Sequence, residues 1–153
     1  MRILFLFLLF FALTAEKCET NTGAYSSDTY VEMKKSGCYG SCPMYTIRID
    51  GAGQATYKGE RFVEKIGNHV KKFTDRQAGG LMQAFDNADY WSFKDEYLGD
   101  ITDLPYTYLT FSHKGKTKKI TLYYNVPEKL TALANLVVSF AESKDGWEAT
   151  ESK

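Results

Sequence analysis

Residues 44–60 read MYTIRIDGAGQATYKGE, and no other stretch narrows the fold as sharply. Tyr45, Ile47 and Ile49 alternate with Thr46, Arg48 and Asp50, the period of two that gives a strand one apolar and one polar face. Residues 50–53 (DGAG) are turn formers, and residues 54–60 return as a second strand. A hairpin with one wet face has to lay its dry face on something, so the rest of the chain is read for a cover.

Residues 74–85 supply one. Thr74 and Gln77 have the spacing of a capping box, and Ala78, Leu81, Met82 and Phe85 recur at i, i+3, i+4 and i+7, a single apolar stripe. Gly79 and Gly80 weaken this helix by roughly 1 kcal/mol each against alanine, so tertiary packing must hold it. A second helix starts at Pro127, carries Leu130, Leu133, Ala134, Val137, Phe140 and Ala141 on one face, and ends by Gly146. Residues 29–35, 106–113 and 118–124 read as further strands, and residues 62–66 and 69–73 as a short pair about Gly67 and Asn68. The order predicts an α+β domain over residues 30–147: a mainly antiparallel sheet of about six strands with two helices packed on one face.

Ahead of the domain, Arg2 is followed by an unbroken apolar run at residues 3–13 and then by Thr14 and Ala15, the pattern of a secretory signal over residues 1–15. Its 11 apolar residues fall well short of the ~20 that cross a bilayer. The expected location is therefore periplasmic or secreted. Cys18 offers a lipidation site of the bacterial lipoprotein type, which would anchor the protein to the envelope and is the single route to a membrane that the sequence suggests. Residues 16–29 are polar and small, a flexible tether, and residues 148–153 are expected to be a disordered tail. Without residues 1–15 the chain has 18 basic against 19 acidic side chains, a balance with no footprint for nucleic acid. The local basic cluster at residues 114–119 (KGKTKK) reads as a solvated hairpin tip.

Chemistry concentrates in residues 37–45, GCYGSCPMY. In an oxidising exterior Cys38 and Cys42 can meet if the residues between them turn, for which Gly40 gives the freedom. The closed loop is tiny, so this staple stabilises by only ~2 kcal/mol. The same thiols, reduced, suit Cu(I), with Met44 or a histidine completing the shell. Dithiol redox exchange is the third reading, with Lys34 and Lys35 the nearest cations in sequence.

The C-x-x-x-C-P pattern of residues 38–43 resembles the copper motif of Sco-type copper chaperones, a likeness of five or six residues in a protein type where the motif opens a helix. A longer stretch, residues 37–59 followed by Asp103, Leu104 and Pro105, resembles a family of small exported bacterial domains of unknown function. Its pattern is C-x-G-x-C-P-x-Y, a strand, a glycine turn, and a strand ending in tyrosine and glycine. That resemblance implies an exported domain over roughly residues 28–147 and supplies no catalytic residue.

Elsewhere the candidates are sparse. His69 and His113 have no metal-ligand spacing and read as surface residues. Asp100 and Asp103 lack the interleaved ligands of a calcium loop. Aromatics make up 15% of the chain, and Tyr106, Tyr108, Tyr123 and Tyr124 fall on neighbouring strands, where a shared face would make an aromatic platform and ordinary packing on a half-buried sheet is the simpler account. No nucleophile elbow, P-loop or dinucleotide fingerprint occurs. The expectation is a non-enzymatic exported binding or envelope-associated module with a Cys38–Cys42 disulfide, no cofactor, and a protein or small ligand as partner. The alternative is a thiol-dependent periplasmic factor, a Cu(I) carrier or dithiol redox protein.

Overall fold

The computed structural model describes residues 25–151. Eight strands form one sheet in the order β5-β7-β6-β1-β2-β3-β4-β8. Strands β1 (Tyr30–Lys35), β2 (Met44–Asp50), β3 (Gln54–Arg61) and β4 (Gly67–Lys72) make an antiparallel meander. The hairpin of β6 (Thr107–His113) and β7 (Lys116–Leu122) docks β6 on the free edge of β1. Helix α1 (Asp75–Asn87) follows β4, and α2 (Glu128–Ala141) follows β7.

Local chemistry accounts for these elements. The Asp50 carboxylate accepts from the Gln54 amide at 2.8 Å, and Gly53 takes φ +85° to close the β2–β3 turn. Lys114 and Gly115 both have positive φ, the two-residue turn whose twist matches a hairpin. The Thr74–Gln77 capping box forms as the sequence predicts. On the sheet, Val31, Met33, Tyr45, Ile47, Ile49, Ala55, Tyr57, Leu109, Phe111, Ile120 and Leu122 are buried, and they share one core with Leu81, Met82 and Phe85 of α1 and Leu130, Leu133 and Val137 of α2. Phe85 packs its ring 5.2 Å from that of Tyr90 and 5.1 Å from that of Phe111, and the Tyr90 hydroxyl donates to the Leu109 carbonyl at 2.6 Å. The alternate residues, Glu32, Lys34, Thr46, Arg48, Thr56, Lys58 and Thr110, fall on the opposite, polar face. There Arg48 lies 3.5 Å above the Tyr30 ring and 4.0 Å from Glu32.

The sheet differs from the expected one of about six antiparallel strands. It has eight, and one edge pair, β5 (Glu96–Tyr97) on β7, is parallel. β5 and β8 (Glu148–Thr150), two and three residues long, are too short to show a period of two. β8 pairs with β4, so residues 148–150 are part of the sheet rather than of a tail. Residues 62–66 are not a strand: Phe62 turns into the left-handed region at φ +54°, and the segment folds back over Gly59. Residues 25–29, read as tether, are packed. Tyr25 donates to Asp86 at 2.8 Å and Thr29 is 4% exposed. Residues 1–24, with the expected signal, the rest of the tether and Cys18, lie outside the described residues, as do 152 and 153. Among the described residues no helix is long and apolar enough to cross a membrane.

Buried phenols give the fold an alkaline limit. Burial first, and then the Asp86 carboxylate, pushes Tyr25 up to about 12; burial and the Glu142 charge push Tyr57 up to about 12, and Tyr45 and Tyr90 are raised as well. A phenol whose folded pKa is raised stabilises fully below its unfolded value of about 10 and loses that contribution as pH climbs toward 12. Tyrosinate absorbance is expected to show four of the 11 tyrosines titrating late, together with loss of the native circular dichroism. Full titration of all of them by about pH 10.5, with the fold intact, would contradict this burial.

Candidate binding cleft at the disulfide end

The strand register collects four loops at one end of the sheet. Lys35 stands across from Tyr45 and Thr107, Gly59 from Gly67, and Leu122 from Thr107 and Tyr97, so residues 36–43, 62–66, 98–106 and 123–127 all issue from that end. Cys38 and Cys42 are disulfide-bonded there, with Cα atoms 5.6 Å apart. The Gly40 amide donates to the Cys38 carbonyl at 2.8 Å, which closes the turn that the spacing calls for. Ser36 ties this loop to the next, its amide donating to the Tyr106 carbonyl and its hydroxyl accepting from the Tyr106 amide, both at 2.9 Å.

Every large apolar side chain that the domain exposes among its described residues lies in these loops: Tyr39 at 92%, then Phe62, Ile66, Leu98, Ile101, Leu104, Tyr106 and Tyr124. Scattered apolar residues are normal on a surface, but these are confined to one end of the sheet.

Beside the disulfide, a cleft of about 340 Å³ opens between the start of β2, the end of β3, loop 62–66 and the last turn of α2, lined by Pro43, Tyr45, Tyr57, Lys65 and Glu142 among others. The residues that carried the sequence resemblance converge on it. Pro43 and Tyr45 follow the second cysteine, Tyr57 stacks on Tyr45 with ring centroids 5.3 Å apart, and Gly59 lets loop 62–66 lie against the strand. The Tyr45 hydroxyl is buried and, alone among buried side-chain N and O atoms of the described residues, has no hydrogen-bond partner. Such a group costs ~1–3 kcal/mol. Tyr45→Phe is therefore expected to stabilise the ligand-free domain by about 1 kcal/mol, read as a higher denaturation midpoint; destabilisation of that size would mean the hydroxyl is satisfied.

Cations sit over these rings: Lys35 Nζ is 5.9 Å from the Tyr45 centroid, and Lys65 Nζ is 5.4 Å from Tyr57 and 5.9 Å from Trp147. Glu142 caps the C-terminal end of α2, where no basic residue occupies the last turn, and it takes no part in the three ion pairs of the described residues. Its charge helps raise both tyrosine hydroxyls.

The other candidates separate. Met44 lies by the disulfide loop, its Sδ 3.1 Å from where a Cβ on Gly37 would stand. His69 is on β4, its Nδ1 3.3 Å from the Gly67 carbonyl and its ring edge-on to Tyr57. Asp100 and Asp103 are exposed in loop 98–106, and among the described residues no three His, Cys, Asp or Glu side chains are grouped to hold a metal. Tyr106, Tyr108 and Tyr123 do share a face and stack, with Tyr106 between the other two at 6.2 and 4.3 Å and the Lys119 ammonium 4.5 Å from the Tyr108 ring. Tyr124 lies against Gly99, apart from that stack.

His113, expected at the surface, has a side chain only 13% exposed because residues 25–29 fold over it at the far end of the sheet. Thr29 Oγ1 and His113 Nδ1 are hydrogen-bonded at 3.0 Å, and Asp86 lies 3.7 Å from His113 Nε2. The order hydroxyl, imidazole, carboxylate is that of a nucleophilic relay, yet the hydroxyl is buried and the group acts as a clasp.

Removing the staple tests its weight. Cys38→Ser with Cys42→Ser is expected to fold and to lose about 2 kcal/mol in chemical denaturation. A double mutant that cannot fold would make the loop a structural keystone.

Compared with known families, residues 29–141 match the one described as Domain of unknown function (DUF6438). No curated protein matches the chain.

Proposed function

The chain belongs to the DUF6438 family of domains of unknown function, and on that premise we propose that it is an exported, non-enzymatic module that binds another chain through the loops at its disulfide end. The observation that carries this is the confinement of all the exposed large apolar side chains of the described residues to the loops at one end of the sheet. The Cys38–Cys42 disulfide supports export, since such bonds persist in oxidising compartments, and so does the apolar run at residues 3–13. Lipidation at Cys18 would add an envelope anchor. The hydroxyl–imidazole–carboxylate group of Thr29, His113 and Asp86 does not favour catalysis, since its hydroxyl is shut in.

A photo-crosslinking residue at Tyr39 or Leu104 in the exporting cell is expected to give a discrete adduct, and the same residue at Lys58 on the polar sheet face none. Adducts from Lys58 alone, or from none of the three positions, would sink the reading. The thiol alternative needs the reduced pair, which would set two thiolates beside Met44. Stoichiometric Cu(I) uptake by the reduced domain, lost with Cys38→Ser and weakened by Met44→Ala, would put that alternative ahead.

A further inference from the structure

From the faces of Tyr57 and Trp147 and the carboxylate of Glu142, we infer that the cleft is a subsite for the lysine or arginine side chain of a bound peptide, held in the free protein by the domain's own Lys65. The inference rests on the reading of the disulfide end as a binding end and names what one part of it recognises.

Two features of the cleft favour a cation. Aromatic faces attract ammonium and guanidinium groups, and here Lys65 already lies over two rings at once. Glu142 adds a negative charge at the end of α2, where the helix dipole is itself negative; among the described residues it forms no ion pair, although the Lys71 ammonium donates to Ser143 and to the Asp145 carbonyl just beyond that end. Lys144, the second lysine on the cleft, opposes an incoming cation, as do Lys65 itself and Lys71, whose ammonium lies 5.8 Å from the Trp147 ring, so the free protein is expected to bind weakly.

Lys65 can give way because of how it is held. Its backbone rests on Gly59, in a segment that begins with the left-handed Phe62 and ends with the exposed Ile66. Among the described residues its ammonium forms no ion pair. A peptide whose apolar residues cover Phe62 and Ile66 would bring its own basic side chain to the place Lys65 leaves.

The test is a titration of the full domain with N-acetyl-lysine amide, N-acetyl-arginine amide and N-acetyl-glutamate amide, followed by the NMR signal of the Trp147 indole N–H. Lys65→Ala is expected to tighten the basic amides about tenfold, and adding Glu142→Gln to weaken them about fivefold, as for a cation lost or gained over aromatic rings. Preference for the glutamate amide, or no response to Lys65→Ala, would overturn the subsite. An acetylated Gly-Lys-Gly peptide is expected to outbind n-butylammonium, and equal binding would overturn the peptide as the source of the cation. Because the Tyr39 and Leu104 crosslinks are read independently, their survival alongside a failed titration would remove the subsite and keep the binding end. Loss of the crosslinks would remove both.

Discussion

Phe85→Ala is expected to destabilise the domain by about 4 kcal/mol, the range for an aromatic ring deleted from a core that cannot collapse around the hole. Phe85 is fully buried, and its ring lies between Tyr90 and Phe111, the first in the short helical turn at Tyr90–Ser92 and the second on β6. Its loss removes the ring contact of α1 to Phe111 on β6 and leaves the Tyr90 ring, whose hydroxyl is pinned to the Leu109 carbonyl, unable to follow. Domains of this kind hold only ~5–15 kcal/mol in reserve, so the variant should be marginal at 37 °C. Chemical denaturation would show the midpoint falling with the slope unchanged, and a loss under about 1.5 kcal/mol would mean that the site closes over the gap.

Gly59→Ala is the second large effect, and it strikes the cleft rather than the core. A Cβ at this position would land on the Lys65 carbonyl oxygen and 2.9 Å from Val63 Cγ2. Neither strand nor loop can yield cheaply, because Gly59 is paired to Tyr45 on one side and Gly67 on the other. We expect a cost of about 3 kcal/mol, typical of overpacking, with loop 62–66 displaced. The spectral changes should stay near residues 59–67 and the Tyr45–Tyr57 pair, while the α1 resonances hold. Since the displaced loop takes Lys65 from the rings, basic amides should bind this variant more tightly than wild type. A variant as stable as wild type would show that the loop is not packed on Gly59.

How much of this was legible in the sequence follows from the range of each interaction. Strands β1, β2 and β3, the turn at Gly53 and the capping box at Thr74 depend on local patterns and were readable, whereas β4 was read as residues 69–73 and paired with 62–66 instead of with β3. The Cys38–Cys42 turn is equally local. Loop 62–66 misled because its apolar residues mimic a strand, while the left-handed turn at Phe62 has no pattern of its own. β5 and β8 exist only because a neighbouring edge accepts them. The cleft combines Tyr45 and Tyr57, both within the stretch that carries the resemblance, with Lys65 and Glu142, which no spacing connects to them, and Trp147 packs beside Tyr57. His113 likewise gains its meaning from Thr29, 84 positions away.

The direction in which the chain enters and leaves the sheet bears on how the protein can be handled. Tyr25 packs beside Asp86 and Gly51, at the edge far from the disulfide, whereas β8 runs toward Asn68 and delivers Thr150 beside loop 62–66. A seven-residue strand is about 24 Å long, so a tag, bead or lipid attached ahead of Tyr25 stands clear of the cleft by roughly that distance. The same attachment after Thr150 sits at the rim of the cleft. Immobilisation through the upstream side therefore leaves Tyr39, Phe62 and Ile66 free to meet a partner, and fusion on the downstream side would mask them.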